Sequence, residues 1–239
     1  MPTAAAILAA AERLRGQIVV TPLLGGSVLP GVLAPADLRL KLELLQPFGS
    51  PAYRGALHAL LRALGGDSGL VAAGPARRVF AALGAAQTLR LPARGFVVGA
   101  IPADLQAIAT ECGFDVAHFA DLGSAIAAAD ERRRATGASR AGDASDPDWA
   151  AGVATLGLEL AATLPASVER VFVVADLVDA VAAGLSAGGR PIPVVPATER
   201  APPTLTSAVT LGLRVVADEG LDALWSACRD GRAGACVVL

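Results

Sequence analysis

With 239 residues, 54% of them hydrophobic and 18% charged, the chain has enough apolar material for a sizeable core in one large or two modest domains. Its formal net charge of -2 excludes the basic footprint expected of a nucleic-acid or anionic-membrane binder. No uncharged apolar run is long enough to span a bilayer. Cys112, Cys228 and Cys236 are too few and too scattered for a disulfide framework or a zinc site, so buried thiols in a cytoplasmic protein are expected, and no metal.

The chain opens on MPTAAAILAAAERLRG, which lacks a basic leader and is interrupted by Glu12, Arg13 and Arg15. It reads as an amphipathic helix with Thr3 as N-cap, Ile7, Leu8, Ala11 and Leu14 on one face, and Gly16 as terminator. Short apolar runs then alternate with helical stretches, the signature of a parallel α/β architecture. The expected strands are Leu38 to Leu44, Gly69 to Ala73, Thr88 to Leu91, Asp115 to Phe119, Arg170 to Val174 and Pro191 to Val195. The expected helices are Ala56 to Leu64, Ala76 to Leu83, Ala103 to Cys112, Leu122 to Thr136, Trp149 to Thr163 and Val178 to Ala187. Pro102 and Asp104 open a helix that Gly113 closes, and Asp121 caps one that Gly137 ends. The polar, turn-forming stretch Ser139 to Asp148 is the best candidate for a crossing between domains. The apolar, strand-prone residues Ala235 to Leu239 should lie in a sheet or at an interface.

One stretch, LRLKLELLQPFGSPAYRGALHALLRAL from Leu38 to Leu64, carries a more specific pattern. It resembles the lysine-bearing segment KLE.LQP.GSFK.RGA of pyridoxal-phosphate (PLP) enzymes of the threonine dehydratase and serine racemase type. The resemblance extends to the opening helix and TPL turn in Ala10 to Leu24, and to the strand, loop and helix in Gly69 to Gly84. Pro92, Gly113, Val116, Asp146, Pro147, Gly152, Thr155 and Glu159 match further positions of the pattern, and Val168 to Ala197 parallels the strand, glycine loop and helix that hold the phosphate in that family. The resemblance implies a two-domain, three-layer α/β fold of the tryptophan synthase beta-like (fold type II) kind. It places a small domain at about residues 50–142 inside a larger one made of residues 1–49 and 143–239.

Departures concentrate where that family's chemistry would be. Ala52 stands where the resemblance puts the Schiff-base lysine, and a methyl group is neither an amine nucleophile nor a base. Pro75 replaces the loop asparagine and has neither amide side chain nor backbone donor. The four glycines of the phosphate loop align with Leu177, Val178, Asp179 and Ala180, whose side chains obstruct close approach and add a carboxylate. The later SGGN segment has no counterpart in the sequence. Lys41, the only lysine, matches the KLE pattern and reads as a solvated or ion-paired strand residue near Glu43.

These departures lead to the expectation of a non-catalytic homologue that binds no PLP and acts by binding a partner or a small ligand. The alternatives are a PLP-independent enzyme that uses the old cleft on an amino or hydroxy acid, and a chain with a dehydratase's ancestry but not its activity. Ser50, Tyr53, Arg54, Gly74, Arg77 and Arg78 are the candidate cleft residues, because arginines beside a helix start suit a small anion such as a carboxylate. Against this, Arg77 and Arg78 also read as plain surface charges, His58 as a packed helical residue, His118 as the end of a strand, and Asp130 to Arg134 as a solvated helix face. A homodimer or a complex with another protein is expected from the apolar tail.

Overall fold

The computed structural model describes residues 1–25, 38–63, 69–140, 145–197 and 234–238. These form two compact units: Met1–Val19 with Leu44–Thr155, and Val20–Glu43 with Leu156–Leu239.

The first unit holds a four-stranded, all-parallel sheet of β3 (Leu70–Pro75), β4 (Ala93–Val98), β5 (Asp115–Phe119) and β6 (Ser139–Arg140), in the order β5-β4-β3-β6. Its helices are α1 (Ala4–Leu14), α2 (Ala52–Ala63), α3 (Ala76–Thr88), α4 (Ala103–Cys112), α5 (Leu122–Thr136) and the first half of α6 (Pro147–Thr163). Val71, Phe96, Ala125, Ala129 and Ala138 form one core cluster between sheet and α5. The second unit holds β1 (Leu23–Gly25), β2 (Leu38–Lys41), β7 (Val168–Val174), β8 (Val194–Ala197) and β9 (Gly234–Val238), in the order β1-β2-β9-β7-β8. Only the β1–β2 pair is antiparallel. Helix α7 (Val178–Ala187) and the rest of α6 complete it.

The helix starts follow the chemistry of their first residues. The Thr3 hydroxyl accepts from the Ala6 amide, and the Asp121 carboxylate accepts from Ser124 at 2.8 Å, which holds the Asp121 carboxyl below its ordinary range. Gly113 and Gly137 close α4 and α5, as expected, and both do so in the left-handed conformation.

Several boundaries differ from those read in the sequence. Thr88 to Leu91 is not a strand. Helix α3 runs on to Thr88, Arg90 turns the chain at φ +57°, and the strand begins only after Pro92. Helix α2 starts four positions before Ala56, because Ser50 caps it and Pro51 fits its first turn. The short strands β1 and β6 carry no periodic signal of their own; β6 lies inside the polar stretch expected to be a crossing. Residues 1–19, assigned in the sequence reading to the larger domain, pack in the first unit through the buried Ile7, Ala10 and Leu14. The expected boundary at residue 142, the end of the expected helix at Leu64, Cys228 and Leu239 lie outside the described residues. The tail strand Ala235–Val238 sits centrally in its sheet, paired in parallel with both β2 and β7.

Candidate functional site

In the first unit, the segment around Ala52 is built by two consecutive left-handed residues, Phe48 (φ +62°) and Gly49 (φ +64°). A phenylalanine in that conformation is strained. Packing holds it there: its ring lies against Gly84, where a Cβ would come within 1.9 Å of it, and its centroid is 5.7 Å from Phe114 and 6.3 Å from Tyr53. The Ser50 hydroxyl then accepts from the Ala52 amide at 3.2 Å, so Ser50 acts as a helix cap and Ala52 sits buried in the first turn of α2.

The next residues look inward. The Tyr53 hydroxyl meets Thr88 Oγ1 at 3.0 Å, and the buried Arg54 guanidinium donates to Thr155 Oγ1 and to the Val19 carbonyl, both at 3.4 Å. Tyr53 and Arg54 are therefore interior side chains with protein partners. The sequence reading places both among the candidate cleft residues; a helix register one residue past a cap is enough to turn such side chains from solvent to core. Gly55 lets α2 approach α6 closely: a Cβ there would meet the Trp149 ring at 2.8 Å, and one on Gly152 would lie 2.5 Å from the Arg54 carbonyl oxygen.

Gly74 and Pro75 end β3 and open α3. Gly74 has φ +146° and open space where a Cβ would stand; Pro75 is exposed and offers α3 no side-chain cap. Arg77 is ion-paired at 3.6 Å with Asp104, both exposed, and Arg78 places its guanidinium 5.9 Å over the Trp149 ring. Of the six candidate residues, Arg77 is exposed, Gly74 is buried but has open space where a Cβ would stand, Arg78 is half-buried against an aromatic ring, and Ser50, Tyr53 and Arg54 are buried.

His58, one turn beyond Arg54, is buried with its Nδ1 2.7 Å from the Asp148 carbonyl and its Nε2 3.0 Å from Arg13 Nη1. A carbonyl only accepts and a guanidinium only donates, so the neutral ring with its proton on Nδ1 satisfies both. Burial pushes the His58 pKa below its ordinary value; Arg13 adds to the shift, while the bond to Asp148 opposes it. The sequence shows His58 as a packed helical residue but gives no sign of the Arg13 partner 45 positions away.

In the second unit, Lys41 ends β2 with its side chain almost wholly enclosed. Its Nζ donates to the Thr21 carbonyl at 2.7 Å and pairs with Glu159 Oε2 at 2.7 Å, while the Thr21 hydroxyl donates to Glu43 at 2.5 Å. Lys41 is thus ion-paired as anticipated, but with Glu159 from α6 and not with Glu43. The signal for Glu159 was present in the family pattern, which includes a glutamate four residues after Thr155.

The sequence resemblance sets the family's phosphate loop against the joint that follows β7. Strand β7 ends at Val174, a 3-10 turn covers Ala175–Leu177, and α7 follows at once. Leu177 and Ala180 are buried, and Asp179 is exposed in the first turn of α7.

Among the described residues no group of three or more His, Cys, Asp or Glu is placed to hold a metal ion, and no helix is long and apolar enough to cross a membrane.

A parallel α/β fold with these retained motif residues defines a class. Residues 14–231 match the family "Pyridoxal-phosphate dependent enzyme", and the chain belongs to it. Among solved structures, the serine racemase of maize superposes with a TM-score of 0.72 at 20% identity, over 99% of this chain and 77% of that one. The serine racemase of Dictyostelium discoideum gives 0.69 at 21% identity, over 82% and 65%. A threonine deaminase from T.th. gives 0.67 at 28% identity, over 78% and 61%. The chain therefore spans less than two thirds of the last two relatives' length. A search of curated proteins finds no match.

Proposed function

We propose that this chain is a catalytically inactive homologue of the serine racemase and threonine deaminase type, acting by binding a partner or a small ligand. The observation that carries the reading is the pairing of Ala52 with Lys41. The first turn of α2 presents a buried methyl group, and the only lysine is enclosed in the other unit, holding Thr21 and Glu159. Bound pyridoxal phosphate supplies an electron sink for carbanions, reached through an amine on the protein. The residues here do not fit that group: the α2 position has no amine, Pro75 has no amide hydrogen, and buried Leu177 fills the end of the strand-to-helix turn, just before α7.

The association part of the reading is supported by Val19, Leu44 and Leu45, exposed apolar residues of the first unit that two hydrogen bonds between Gln46 and Val19 hold side by side. Light scattering on the pure protein should give a dimer or larger species at micromolar concentration, and a stable monomer would count against association.

The test of inactivity is incubation with pyridoxal phosphate, borohydride reduction and peptide mapping. Absorbance should remain that of the free compound, and no pyridoxyl group should be found on Lys41. A stoichiometric label at Lys41 would overturn the reading.

A further inference from the structure

A helix that begins at the carboxyl end of a parallel strand offers free N–H groups and the positive end of its dipole, and this is where such sheets ordinarily hold anionic groups. The joint between β7 and α7 departs from that arrangement in three independent respects. The first is backbone shape. A nest that adds converging N–H groups to those of a plain helix start alternates right- and left-handed residues, and no residue from Val174 to Ala180 has a positive φ; Leu177 (φ -104°, ψ -8°) and Val178 (φ -52°, ψ -54°) are both right-handed.

The second is space. Leu177 and Ala180 are buried at the start of α7, and the helix has no room to withdraw. A Cβ on Gly157 of α6 would lie 2.3 Å from the Val181 carbonyl oxygen, and one on Gly188 would lie 2.4 Å from Ala161 Cβ, so the two helices are already in close contact. The third is charge. Asp179 lies exposed in the first turn of α7, so the chain places carboxylate charge of its own in the favourable field of the helix start. A phosphate dianion approaching that turn would meet negative charge at short range.

We infer that this joint has exchanged an external anion for carboxylate charge of its own, and that any small ligand taken by the second unit presents an uncharged or cationic group there, not a phosphate. The inference deepens the inactive-homologue reading by naming a ligand class and rests on it only in taking the ligand to be something other than the family cofactor.

The test uses the full chain, with amide resonances followed during titration with inorganic phosphate and, separately, with pyridoxal phosphate and pyridoxal. The amides of residues 175–180 should not shift saturably with phosphate. Pyridoxal phosphate should bind no more than about threefold more tightly than pyridoxal, a difference below about 1 kcal/mol. Saturable shifts at residues 175–180, or a preference for the phosphorylated compound of about tenfold or more, would overturn the inference. The two readings fail separately. A pyridoxyl label on Lys41 would sink the inactive homologue without touching the joint, and phosphate binding at α7 would sink the joint while Lys41 stays unlabelled.

Discussion

Two places in this molecule bear the same family pattern and have kept very different amounts of it. Where α2 crosses α6 in the first unit, every matching residue has a mechanical task. Arg54 reaches Thr155, Gly55 makes room for Trp149, and Gly152 lies against the Arg54 carbonyl. Where β7 runs into α7 in the second unit, at the positions that the sequence resemblance sets against the family's phosphate loop, Leu177, Val178, Asp179 and Ala180 wind straight from a 3-10 turn into a helix. The contrast separates two kinds of motif residue. A residue that fills or clears space between helices is needed for folding whether or not any reaction occurs. A loop that cradles a ligand is needed only where that ligand is bound.

The sharpest way to break this comparison is at Gly152. Gly152→Leu would drive a side chain into the Arg54 carbonyl, a backbone atom with little freedom to move aside, so a loss of about 3 kcal/mol or outright failure to fold is expected in chemical denaturation. Full stability in that variant would mean that the crossing is looser than its contacts imply. Lys41→Met comes next. It removes the cation of an enclosed ion pair with Glu159 and the donor to the Thr21 carbonyl, and a loss on the order of 3 kcal/mol is expected in chemical denaturation. Unchanged stability in that variant would show that the enclosed ammonium does not hold β2 in place.

The third effect depends on pH. His58 folds with a pKa lowered by burial, so the folded state binds fewer protons than the unfolded chain just below the ordinary histidine value. The stability it contributes is complete above about pH 6.5 and is lost as pH falls from there toward the depressed folded value. Denaturation midpoints followed downward from neutrality should decline in that window, and His58→Gln, which keeps one donor and one acceptor, should flatten the decline. An unchanged slope would remove His58 from the account.

Perturbing the other region should do much less. Asp179→Asn takes a charge from an exposed helix start and should cost about 0.3–1 kcal/mol by thermal melting, far below the α2–α6 changes. A loss above about 2 kcal/mol, the upper end for such a charge, would make that joint as mechanical as the crossing. The smallest effect expected is on turnover: Ala52→Lys should leave serine and threonine dehydration at the level of the unaltered chain, since Pro75 and residues 177–180 remain as they are. Ready ammonia release by that single variant would show that the remaining residues suffice.

Much of this was legible in the sequence because the pattern there is local. Asp121 with Gly137 and Pro102 with Gly113 mark helix ends by their own chemistry, and α7 runs over Val178–Ala187 as the apolar spacing indicates. Long-range pairing was not legible. Lys41 finds Glu159 across 118 positions and Arg13 finds His58 across 45, and no spacing rule reports such partners. The candidate cleft suffered for the same reason. Which way Tyr53 and Arg54 point depends on where α2 begins, and a cap at Ser50 shifts that start by four residues from the expected one. Thr88 to Leu91 misled because a β-branched residue ahead of two leucines suits a strand, whereas the packing of α3 carries the helix on through Thr88.

The enclosure of Lys41 also gives the chain an unusual chemical silence. With one ε-amine in the sequence, and that amine held between Thr21 and Glu159, acylating reagents find no lysine to modify while β2 stays in its sheet. Acylation at residue 41, located by peptide mapping so that label on the Met1 α-amine is set apart, therefore becomes a clock for the opening of that strand against a background free of other lysines, and its rate measures how often this part of the molecule comes apart without any need to unfold the rest.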